Sequence, residues 1–166
     1  MAIEQLRSDL QRSRALLFDA LRGLSEEQFR HEPGDAWNIA THLAHLLRCE
    51  RLWAERARRA LDEDEPSVHS TRAVNDDDPS LAARMAVPQI LHGMVAARRD
   101  LERVLDDAGD AGLHRAVRHE RLGRMTVLDM AVKVAGHEAE HGPEVARLAQ
   151  MAPQARPVII PLRPRS

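Results

Sequence analysis

Leu6, Leu10, Leu17, Leu21 and Leu24 recur at spacings of three, four or seven residues. That period commits the start of the chain to a helix with one apolar face. The pattern returns three times. Ile39, Leu43, Leu46, Leu47 and Trp53 mark a second helix from about Trp37 to Leu61. Leu91, Met94, Val95, Leu101, Val104 and Leu105 mark a third, with Pro88 in its first turn, where a missing N–H costs nothing. Val127, Met130, Val134, Val145 and Leu148 mark a fourth. Aromatic residues make up 2% of the 166 and tyrosine is absent, so Leu, Ala, Val and Met must fill the interior. That supply suits helices better than a β-sandwich. Four long amphipathic segments with one long middle connection predict an all-α fold: an antiparallel four-helix bundle in one domain, residues 1–152.

The breaks between segments carry their own signals. Gly23 followed by Ser25-Glu26-Glu27-Gln28 reads as a stop and a capping box, and Pro33-Gly34-Asp35 as a loop. Asp62 to Pro79 is acidic and polar, with Pro66 and Asn75-Asp76-Asp77-Asp78. It reads as the long surface connection between helices two and three, with a short helix at Ser80–Met85. Gly109-Asp110-Ala111-Gly112 closes the third helix, and Leu113–Arg124 is a connector rich in His and Arg that can run extended. Thr126 caps the fourth helix, with Asp129 at the capping-box position. Gly142-Pro143 predicts a kink near His141. Pro153, Pro157, Pro161 and Pro164 forbid helix in residues 153–166, which read as an extended C-terminal arm. Its apolar stretch Val158-Ile159-Ile160 is flanked by arginines and should pack onto its own bundle or a partner subunit's.

Charge and cysteine usage exclude several function classes. The net charge is −2 and basic residues are interspersed with acidic ones, which argues against a nucleic-acid surface. No run approaches the ~20 apolar residues that a bilayer span needs. The start of the chain has no apolar signal core, so a cytoplasmic protein is expected. One cysteine, Cys49, allows neither an internal disulfide nor a cysteine-rich zinc knuckle. Lys133 is the only lysine; every other basic residue is arginine.

The chemistry concentrates in His137-Glu138-Ala139-Glu140-His141. Residues at i and i+4 lie side by side on a helix, so both imidazoles point the same way. They share a face with Val134, Val145 and Leu148, which turns them inward. Two converging neutral imidazoles are half of a transition-metal site. A third can come from Thr41-His42-Leu43-Ala44-His45, by either histidine. Cys49, four residues after His45, shares that face as a fourth ligand, a reactive thiol or a small buried hydrophobe. Glu138-x-x-His141 also matches one element of a di-iron bundle, but the second helix offers no second copy. His31, His69, His92, His114 and His119 have no matched partners and are expected at the surface or in loops.

The block Trp37-Asn38-Ile39, Leu43-Ala44-His45-Leu46 and Glu50, then Gly123-Arg124-Met125-Thr126-Val127 and His137 to His141, resembles the DinB-like family. The resemblance runs from about Leu6 to Leu148 and includes the Leu24-Ser25-Glu26-Glu27-Gln28 entry to helix two. It implies a four-helix bundle holding one divalent metal, zinc or nickel, through His45, His137 and His141, with His42 as the rival ligand. It also implies thiol-dependent transferase or isomerase chemistry on a small-molecule substrate, using a low-molecular-weight thiol, and a homodimer. The alternative is a non-catalytic bundle in which the metal is structural. Glu50, Glu138 and Arg98 stand near enough in sequence pattern to support such a centre, and none is identifiable as a catalytic base.

Overall fold

The computed structural model describes residues 3–70 and 84–152. The chain is mainly helical, and the described residues include four long helices and a short one: α1 (Ile3–Ala20), α2 (Glu26–Phe29), α3 (Ile39–Asp62), α4 (Val87–Gly112) and α5 (Val127–Met151). Helix α3 packs against both α4 and α5, and α1 packs against α5. The expected stripes face inward: Leu6, Leu10 and Leu17 of α1, Leu43 and Leu47 of α3, Met94 and Leu101 of α4, and Met130 and Val145 of α5 are all buried. Two apolar clusters result. One centres on Leu10, Trp53, Leu101 and Met130, and the other on Leu17, Leu43, Met94 and Val145.

The expected caps are in place. The Ser25 hydroxyl accepts from the Gln28 amide while the Gln28 side chain accepts from the Ser25 amide. Thr126 and Asp129 repeat that exchange at the start of α5. Gly23 at φ +79° and Gly34 at φ +89° take the left-handed backbone that their turns require.

The structure corrects the sequence reading at several points. The fold is not purely helical: β2 (Ala116–His119) and β3 (Gly123–Thr126) form an antiparallel hairpin, and β1 (Ser67–Val68) joins β2 in parallel. The hairpin occupies the connector expected only to run extended, and β1 lies in the polar excursion. Helix α5 spans Val127 to Met151 with Pro143 inside it, where the missing N–H leaves the ladder one hydrogen bond short. The third helix closes where expected: Gly109 leaves helical geometry at φ +54° and the last turn ends at Gly112. The C-terminal arm and most of the expected short helix at Ser80–Met85 lie outside the described residues.

Candidate metal centre

Asn38 caps α3: its side-chain oxygen accepts from the Thr41 amide at 2.9 Å and from the Thr41 hydroxyl at 2.9 Å. This cap starts the helix so that His42 and His45 fall in its first two turns, facing α5. On α5, His137 and His141 stand one turn apart on the same side. The contact between the two helices brings these imidazoles together. Nε2 of His45 lies 3.1 Å from Nε2 of His137. Ligand nitrogens of His45, His137 and His141 all lie within 4.8 Å of one another. A tetrahedral zinc site with Zn–N bonds of about 2.0–2.1 Å separates its nitrogens by about 3.3 Å. The three histidines therefore form a group that could hold a metal ion.

His42 stands beside this group, not in it. It is buried, and its Nδ1 lies 2.8 Å from Nδ1 of His141. If His141 donates from Nδ1, its Nε2 keeps the lone pair that a metal needs, the usual role of a ligand histidine's hydrogen-bond partner. Trp37 shields the same side. Its ring lies 5.4 Å from His42 and 5.1 Å from His45, and stacks on His141 at 6.2 Å. Cys49 reaches the group from the other direction, with Sγ 3.7 Å from Nε2 of His45.

Burial, reinforced by neighbouring imidazoles, keeps the His42, His137 and His141 rings neutral. His42 is pushed down to about 4 by burial and then by His141. His137 is pushed down to about 4 by burial, His141 and His45. His141 is lowered by burial and His45. Neutral imidazole is the form that ligates metal.

Behind the histidines lies a buried ring of four charges. Glu138 accepts from Arg14 Nε at 2.5 Å, Arg98 Nη2 at 2.8 Å and the Ser13 hydroxyl at 2.6 Å. Glu50 accepts from Arg14 Nη2 at 2.6 Å and Arg98 Nε at 2.6 Å. The remaining guanidinium donors reach backbone carbonyls, Arg14 to Met94 at 2.7 Å and Arg98 to Leu10. Two positive and two negative charges leave the ring neutral. Burial raises the Glu138 carboxyl, but Arg14 and Arg98 outweigh it and hold the group below the usual carboxylate range. Burial likewise opposes the Arg98 charge, and Glu50 and Glu138 outweigh it to raise its pKa. No buried side-chain polar atom among the described residues lacks a partner.

On the cysteine side, a cleft of about 320 Å³ is lined by His45, Cys49, Leu52, Trp53, Lys133, Gly136, His137 and Glu140. The group is thus screened by an aromatic ring on one side and approachable on another.

Sequence reasoning found His45, His137, His141, Glu50, Glu138 and Arg98, and missed Trp37, Ser13 and Arg14. Arg14 had a readable signal: it falls between Leu10 and Leu17 on the apolar stripe of α1, where a charge needs a buried partner. His119 corrects the expectation of a surface or loop residue. It is buried on β2, stacked on Trp53 at 5.8 Å, and its Nδ1 accepts from the backbone amides of Arg121 and Leu122. His31, His69, His92 and His114 are exposed as expected.

A mainly helical protein whose helices bring three histidines together, able to hold a divalent metal, is the class that fold and site define. The chain belongs to the DinB superfamily, whose family model matches residues 9–145. No curated protein matches the chain.

Proposed function

We propose that this chain is a metal-dependent enzyme of the thiol S-transferase or isomerase type, with His45, His137 and His141 as ligands of one zinc or nickel ion. The observation that carries this reading is the convergence of those three imidazoles beside an open cleft. Three neutral protein ligands are the donor set of catalytic rather than structural zinc sites, because positions remain for substrate. The four long helices are read as the antiparallel bundle that frames this centre.

When bound, the metal supplies a Lewis acid that lowers the pKa of a thiol or water. The chain's own residues do the rest. Trp37 and His42 exclude water from one side, and His42 orients His141 through the Nδ1 contact. The arginines tie Glu138 into the buried ring, so the residue next to His137 is engaged away from the centre and the ligand set stays neutral. The cleft admits a small-molecule substrate and a low-molecular-weight thiol. The enzyme is read as a cytoplasmic homodimer; no helix among the described residues is long and apolar enough to cross a membrane.

Elemental analysis of protein purified without a histidine tag tests the centre. About one equivalent of zinc or nickel per chain is expected, and a protein without stoichiometric metal overturns the reading. A screen of substrates with small thiols tests the chemistry, and light scattering tests the dimer. The approach of Cys49 to His45 favours a second reading, a non-catalytic site closed by a fourth ligand. A sulfur-to-cobalt charge-transfer band in the cobalt-substituted protein without added thiol, lost in Cys49→Ser, selects it.

A further inference from the structure

The cleft beside the histidine group is chemically lopsided. Leu52 and Trp53 give it an apolar floor, and His45 and His137 form its inner wall. Gly136 has no side chain and no atom near the position a Cβ would take, which leaves the α5 side of the cleft open. Its cationic side chain is Lys133, the only lysine in the chain. Most arginines of the described residues are already engaged in ion pairs, such as Arg58 with Asp107 and Arg103 with Asp100. Lys133 makes no hydrogen bond or ion pair with any described residue. Its ammonium is uncommitted among the described residues, on a flexible stem suited to meeting a ligand's charge.

Spacing along α5 orders the charges. Lys133 precedes His137 by one turn, which places the two side chains side by side with Cβ atoms about 5–6 Å apart. Glu140 lines the same cleft two turns beyond Lys133, about 10.5 Å along the axis. A negative group entering there is repelled at the Glu140 end and attracted at the Lys133 end. The volume, about 320 Å³, is enough for a small organic molecule.

We infer that Lys133 is the specificity determinant of this cleft and holds the carboxylate of a small ligand whose other end lies at the three-histidine centre. The inference rests on the proposed function, since it takes the centre as the place where the ligand's thiol binds. Glu140 makes the preference one for a single carboxylate.

The test uses the zinc-loaded full chain and two thiols of nearly one shape, 3-mercaptopropionate and 3-mercaptopropionamide, titrated by calorimetry. The readout is the ratio of their dissociation constants, compared between wild type and Lys133→Met. Because the ratio is compared across proteins, the difference in the two thiols' own acidities cancels. An exposed ion pair is worth up to about 1 kcal/mol, so the preference for the carboxylate should fall about five-fold in Lys133→Met. Lys133→Arg should restore it, and Glu140→Gln should increase it. Lys133 is exposed, and matching circular dichroism spectra establish that each variant is folded. An unchanged ratio in Lys133→Met overturns the inference and leaves the proposed function standing. Failure of the wild type to hold either zinc or nickel, or of the metal-loaded protein to bind either thiol, overturns both.

Discussion

Arg14 and Arg98 bind the same two carboxylates in crossed order. Arg14 gives Nε to Glu138 and Nη2 to Glu50, and Arg98 gives Nε to Glu50 and Nη2 to Glu138. Each of the four long helices contributes one charge to this ring. Along each helix the charge falls between the two apolar clusters: Arg14 between Leu10 and Leu17, Glu50 between Leu47 and Trp53, Arg98 between Met94 and Leu101, and Glu138 between Val134 and Val145. The ring divides the interior into two apolar layers, and it fixes how far each helix can slide against the others.

Removing one member leaves the others uncompensated. Arg98→Met keeps a side chain of similar length but leaves Glu50 and Glu138 sharing Arg14 alone. Breaking a buried ion pair on one side costs about 3–5 kcal/mol. Urea denaturation should show a loss of that order. A change below about 1 kcal/mol would mean that the ring contributes little to stability.

The ligand assignment makes distinct claims about neighbouring histidines. His45→Ala, His137→Ala and His141→Ala should each abolish stoichiometric metal, because two imidazoles do not hold it tightly. His42→Ala removes only the hydrogen-bond partner of His141, so metal should remain bound with affinity weakened about 10- to 100-fold. Competition with a chromophoric chelator measures both. Full retention in His45→Ala together with loss in His42→Ala would exchange their roles.

The long helices were readable because a period of 3.6 persists through many residues, and the caps at Ser25 and Thr126 were readable because they act on the next few residues. The hairpin was not. Each of its strands has four residues, too short for alternation to register. Strand β1 joins by a non-local pairing of Ser67 with Arg118, which no local pattern announces. The His137 and His141 pair was legible from spacing alone. The choice between His42 and His45 was not, because both lie in the first turns of α3 and only packing against α5 separates them. The charge ring shows the same limit: Arg98 on an apolar stripe signals that a partner exists, and packing supplies its identity.

The contact between α3 and α4 depends on a missing side chain. A Cβ at Gly93 would lie 2.8 Å from Cδ2 of Leu47 and 3.2 Å from an Arg51 nitrogen. Leu47 is buried in the apolar cluster and has little room to yield. Gly93→Ala should therefore destabilise by about 1–3 kcal/mol through overpacking, against its intrinsic gain in helix propensity of about 1 kcal/mol. Pairing it with Leu47→Ala should recover part of the loss. A single variant as stable as wild type would show that the helices separate freely here.

Acid should destabilise the metal-free protein earlier than carboxylate chemistry alone dictates. In the folded chain His42 and His137 titrate at about 4. In the unfolded chain both take the ordinary value near 6.5. Between about pH 6.5 and 4 the unfolded state binds protons that the folded state refuses, and stability falls as pH falls wherever the unfolded state binds more. Glu138, held below its usual range, adds a further loss as pH drops through the carboxylate region. The denaturation midpoint of the metal-free protein should decline from pH 7 downward, with the first part of the decline reduced in the His42→Ala/His137→Ala double variant. Zinc should raise the midpoint near pH 7, and that increment should shrink on acidification because the ligand imidazoles must be neutral to bind. A midpoint that stays flat from pH 7 to 5 in the metal-free wild type would contradict the burial that lowers these histidines.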